Sequence, residues 1–163
     1  KYNWLWRNKR IDKSIIEKYW GLIMKLNCIE ISINDDDLGC QVTFSEDKRL
    51  GEELSNMSVS EIIESIGRYL LLQRSYPEDE FDSNNYYFET HNENLCGGLI
   101  DYQMKLSRTF FELEIQNEKI EVSINPTEKE FKELKKVLSL LTNKNGNLIV
   151  NDWITAVANK GYT

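Results

Sequence analysis

From Ser14 the apolar positions first fall at helical intervals. Ile16, Tyr19, Trp20, Ile23 and Leu26 recur every three or four residues behind Ser14 and Glu17, which have capping-box spacing, so an amphipathic helix is expected over Ser14 to Leu26. At Asn27 the period drops to two. Ile29, Ile31 and Ile33 alternate with Glu30, Ser32 and Asn34, and Cys40, Val42 and Phe44 alternate with Gln41 and Thr43. That alternation gives each of two strands one apolar face, and Asp35-Asp36-Asp37-Leu38-Gly39 between them reads as the acidic turn of a β-hairpin. Ser58 and Glu61 repeat the capping-box spacing ahead of Ile62, Ile63, Ile66, Tyr69 and Leu70, which predicts a second helix from Ser58 to Arg74, closed by Tyr76-Pro77.

Pro77 to Asn85 (PEDEFDSNN) is an acidic, turn-rich loop. Strand character follows in Tyr86 to His91, in Leu99 to Ser107, and in two runs, Phe111, Leu113, Ile115 and Ile120, Val122, Ile124, that pair across Asn117-Glu118. Gly97-Gly98 reads as a hairpin turn. Thr127 and Glu130 then open a third helix with Phe131, Leu134, Leu138 and Leu141 along one face, and the short apolar run Leu148 to Val150 leads into a last helix through Trp153 and Val157. Strands do not alternate strictly with helices. The expected fold is therefore α+β, a single domain over residues 1–163, with an antiparallel sheet of about six strands (hairpin plus meander) covered by three to four helices.

Composition narrows the class. The chain of 163 residues is 40% apolar, sufficient for one core, and no apolar run approaches the roughly 20 residues of a membrane-spanning helix. Cys28, Cys40 and Cys96 are odd in number and lack CxxC spacing, and the first ten residues (KYNWLWRNKR) lack the apolar stretch of a secretory signal. A cytoplasmic protein without disulfides, metal or cofactor is expected. Charge is unevenly spread. Residues 1–26 carry seven Lys/Arg against two acids, residues 27–100 four against sixteen, and residues 101–163 nine against nine. An acidic field of this kind repels phosphate backbones and attracts basic surfaces, so the partner expected is a basic protein, with no nucleic acid and no membrane.

No residue pattern commits the chain to catalysis. His91 is the single histidine, and beside Glu89 and Glu93 it reads more readily as a structural residue than as a base. Ser107 and Cys96 lack a nucleophile signature. Residues 141–152 (LTNKNGNLIVND) have the glycine of a calcium loop at the sixth position, but Leu141 stands first and Asp152 last, which removes most ligand charge. No enzyme activity is expected. What remains is acidic surface: Asp35, Asp36 and Asp37 at the hairpin tip, and Glu78, Asp79, Glu80 and Asp82 beside the aromatic Phe81, Tyr86 and Tyr87. Aromatic anchors within a charged rim are the composition of a protein-docking patch, and these ten residues are the expected partner-binding set.

A small acidic α+β chain with DDD and PEDEFD turns and no catalytic motif resembles the immunity proteins of bacterial contact-dependent growth inhibition and related polymorphic toxin systems. The resemblance is one of type across the whole chain. It implies a protein that binds and neutralises a cognate toxin domain, a basic nuclease, by stoichiometric protein–protein association in the cytoplasm. Two alternatives stand beside it. One is a small enzyme whose carboxylates, Asp101 and Glu112 with His91, converge in a pocket; the other is a nucleic-acid-binding module using the basic N-terminal segment with Tyr2, Trp4, Trp6, Arg7, Lys9 and Arg10.

Overall fold

In a computed structural model the described residues are 23–48, 58, 61, 67–77, 83–116, 118–142 and 146–152. Strands form wherever the sequence alternates strictly. They are β1 (Ile23–Asn27), β2 (Glu30–Asp36), β3 (Gly39–Ser45), β4 (Tyr69–Ser75), β5 (Asn85–Thr90), β6 (Gly97–Gly98), β7 (Tyr102–Ser107), β8 (Phe110–Ile115), β9 (Glu118–Ser123) and β10 (Gly146–Asn151). The described helix, α1, spans Glu128–Leu141.

This departs from the expected single sheet of about six strands under three to four helices. The described chain is mostly strand, arranged as two five-stranded sheets, and holds one helix among the described residues. The first sheet has the order β1-β9-β8-β7-β10 and the second β2-β3-β4-β5-β6. Two segments read as helical are strands. Ile23–Asn27, the end of the first expected helix, lies parallel to β9 with Met24 opposite Ile120, and Tyr69–Ser75, the end of the second, is sandwiched between β3 and β5. The Leu148 run also forms a strand, parallel to β7. For the two helix ends, a backbone ladder with neighbouring strands satisfies the carbonyls that the last turn of a helix would leave unpaired. Residues 14–22, most of 58–66, and 153–157, where the remaining helical expectations fall, lie outside the described residues. Ser58 and Glu61 do make their capping contacts, with the Glu61 carboxylate accepting from the Ser58 hydroxyl and amide at 2.7 and 2.8 Å.

Other expectations hold. The hairpin pairs Ile31 with Phe44 and Ile33 with Val42; the β8–β9 hairpin pairs Leu113 with Ile120 and Phe111 with Val122. The third capping box forms at Thr127 and Glu130. Cys28 and Ile29 carry the chain from one sheet to the other, with Cys28 N–H bonded to Ser123 O and Ile29 N–H to Ser45 O.

One buried cluster joins both sheets and the helix. Phe44 of β3 stacks on Phe111 of β8 with centroids 4.8 Å apart, and α1 contributes Phe131, Leu134, Val137, Leu138 and Leu141. Each such burial is worth about 2 kcal/mol relative to exposure. Arg74 of β4 fastens the helix end: its guanidinium donates to Leu140 O at 2.8 Å and lies against the rings of Tyr76 and Tyr86. A cation at a helix C-terminus also complements the helix dipole.

Candidate functional site

The ten expected docking residues separate once the strands are in place. Neighbouring side chains on a strand face opposite sides, so Tyr86 and Tyr87 part company. Tyr86 is buried at 6% exposure under Arg74, whereas Tyr87 stands on the outer face of the second sheet. Asp35, Asp36 and Asp37 do cluster at the hairpin tip, but two of them are occupied. Asp35 accepts from Lys136 of α1 at 2.7 Å and from the Tyr76 hydroxyl at 3.1 Å, and these contacts hold its carboxyl below the usual aspartate range. Asp36 closes the turn, accepting from the Leu38 and Gly39 amides at 2.9 and 3.2 Å and from the Asn34 amide at 2.8 Å. Asp37 is exposed. Glu78, Asp79, Glu80, Phe81 and Asp82 lie outside the described residues. The residues that flank them do not: Tyr76 N–H bonds Leu38 O at the tip, and Asn85 faces Ser75, which faces Gly39.

At the other end of the same sheet is an open pocket of about 420 Å³ lined by Tyr69, Tyr87, Glu89, Thr90, His91, Glu93 and Cys96. Its floor is the outer face of β4 and β5. Tyr87, Glu89 and His91 alternate along one side of the chain while Tyr86, Phe88 and Thr90 face the core, and the Tyr69 hydroxyl donates to the Glu89 carboxylate across the strands. Its rim is the loop 91–96. Leu95 is buried, the Thr90 hydroxyl donates to Leu95 O at 3.0 Å, and Asn92 caps the turn through the Asn94 amide at 3.1 Å. The wall is thus folded by its own hydrogen bonds. Cys96 Sγ donates to Glu93 O at 3.2 Å. Partial desolvation, then the adjacent Cys96 and the charge of Glu89, hold the Tyr87 phenol above its ordinary pKa, so it remains a donor throughout the physiological range.

Gly97-Gly98, expected as a hairpin turn, is instead the short strand β6, and Gly98 faces Tyr87. Gly98 itself places no side chain opposite that ring, and the Ile100 side chain comes within 3.9 Å of where a Gly98 Cβ would stand. Of the pocket residues, sequence reading singled out only Tyr87 for docking; Tyr69 was hidden inside an expected helix. The available signal was the period-two spacing of Tyr87, Glu89 and His91.

Several strand acids are paired with lysines. On the first sheet, Glu112 pairs with Lys105 and Lys119 at 2.7 Å each, Glu114 with Lys105, and Glu121 with Lys25 and Lys119. Burial alone would raise the Glu112 pKa, but the two ammonium groups outweigh it and hold the carboxyl below its usual range. Asp152, the last residue of the calcium-like stretch, is engaged by Arg108 and Lys135. On the second sheet, no described Lys or Arg forms an ion pair with Asp36, Asp37, Glu89 or Glu93.

Asp101, Glu112 and His91 do not converge. Asp101 lines a separate polar pocket with Gln103, Glu114, Gln116 and Asn147, Glu112 is enclosed by its lysines, and His91 belongs to the pocket on β5. Among the described residues no group of three His, Cys, Asp or Glu side chains is placed to hold a metal ion, and no described helix is long and apolar enough to cross a membrane. No family model matches the chain, and no curated protein matches it.

Proposed function

We propose that this protein is an immunity-type inhibitor that binds a basic toxin domain, a nuclease, one to one and neutralises it in the cytoplasm. Its action is association without turnover. The observation that carries this reading is the unequal neutralisation of charge: Glu112, Glu114 and Glu121 of the first sheet are paired with lysines, while Asp36, Asp37, Glu89 and Glu93 at the second sheet form no ion pair with a described Lys or Arg. A cationic surface brought to that face supplies the missing charge, which speeds encounter, and Tyr87 supplies apolar contact area. Glu78, Asp79, Glu80 and Asp82 add four carboxylates in the sequence between β4 and β5.

The test is co-expression with the polypeptide encoded immediately upstream of this chain. The expected outcome is a one-to-one complex by light scattering together with restored growth of cells expressing that polypeptide. Separate elution of the two proteins with growth still arrested would overturn the reading.

A further inference from the structure

The pocket on β5 combines features that a generally acidic surface does not have. It is concave, its floor carries two phenols, and one of these, Tyr87, faces a glycine rather than a side chain on the adjacent strand. The Glu89 carboxylate is oriented by the Tyr69 hydroxyl, and Glu93 sits on a loop fixed by Thr90, Asn92 and Leu95. No described Lys or Arg forms an ion pair with either carboxylate. Although Glu89, His91, Glu93 and Cys96 all line the pocket, they do not converge as metal ligands do.

We propose that this pocket receives one arginine side chain of the partner. The inference rests on the reading of a basic protein partner and adds the residue type that seats at this point. A guanidinium is planar, stacks on an aromatic face and offers a fork of donors to a carboxylate, so the phenol of Tyr87 and the carboxylates of Glu89 and Glu93 meet both demands at once. An ammonium fits less well, because a compact, strongly hydrated point charge gains little from the ring. The prefolded loop means that little ordering accompanies binding.

The experiment is an amide-resolved NMR titration of the full chain with N-acetyl-arginine amide, N-acetyl-lysine amide and N-acetyl-citrulline amide. The arginine probe is expected to shift Tyr87, Glu89, Glu93 and Gly98 saturably, with a dissociation constant on the order of 1 mM as its size dictates. Lysine should bind more weakly and citrulline not measurably. Glu89→Gln and, in case that change disturbs Tyr69, Glu93→Gln should each weaken the arginine response several-fold with the remaining spectrum unchanged. Equal shifts from citrulline, or a response mapping to the hairpin tip, would overturn the proposal. Measuring the same variants against the upstream-encoded polypeptide separates the two ideas. A complex that forms undiminished with Glu89→Gln and Glu93→Gln refutes the arginine pocket alone, whereas arginine binding without any complex refutes the inhibitor reading alone.

Discussion

At the scale of single residues the clearest contrast is between two adjacent tyrosines. Tyr86 lies in the core under Arg74, so Tyr86→Ala should cost about 3 kcal/mol of stability, measured by denaturant unfolding. Tyr87 is half-buried on the outer face, so Tyr87→Ala should change stability by less than about 1 kcal/mol yet weaken the complex by about 1–2 kcal/mol. Equal effects on folding from both changes would contradict the strand's face assignment. Glu112 supplies a second residue-scale test. It is 7% exposed and faces two lysines, so Glu112→Gln should destabilise by about 1–2 kcal/mol, since it leaves two like charges together. Because its folded pKa is depressed, the contribution is fully present above the ordinary glutamate range and is lost as pH falls through the folded value. The wild type and Glu112→Gln should therefore converge in stability in strong acid. What the sequence disclosed at this scale was composition rather than direction. The acids of the tip were legible as a turn, but the occupation of Asp35 by Lys136, 101 residues away, leaves no local trace.

At the scale of elements, legibility followed period and sequence distance. Both long hairpins were readable because Ile31, Ile33, Val42 and Phe44, and likewise Leu113 and Ile120, alternate strictly over a short connection. The helix from Glu128 was readable from Thr127 and Glu130. Tyr69–Ser75 was not, since Leu70-Leu71-Leu72 satisfies helical and extended periods equally and the preceding isoleucines favour the helix; pairing with Phe44 and Phe88's strand decides the matter. β1 failed for a related reason, as its partner β9 lies almost a hundred residues away. The hairpin tip depends on Gly39, where an added Cβ would stand 2.3 Å from Arg74 O of the neighbouring strand. Gly39→Ala should therefore destabilise by about 1–3 kcal/mol, seen as a lowered melting temperature, by forcing β3 from β4. An unchanged melting temperature would mean that the two strands are not held so closely.

At the scale of the whole molecule the two faces have distinct electrostatic characters. The first sheet carries a lattice of paired charges, and the second carries Asp36 and Glu89 in register with Ser75 and Leu71 of β4, about 13 Å apart at the usual rise of an extended strand. Tyr87, in register with Gln73, lies two residues from Ser75 beside the tip, so one continuous partner surface can touch both. Charge of this arrangement acts mainly on encounter. Asp37→Asn, Glu89→Gln and Glu93→Gln combined should slow association with the upstream-encoded polypeptide about tenfold at low salt and flatten its salt dependence. The most direct measurement of the central claim is hydrogen–deuterium exchange of the chain free and in that complex. Slowed exchange is expected in the turn 35–38, in residues 75–77 and 83–85 beside it, and in the loop 91–98. Protection confined instead to the turn 107–110 and strand β10 of the first sheet would contradict it.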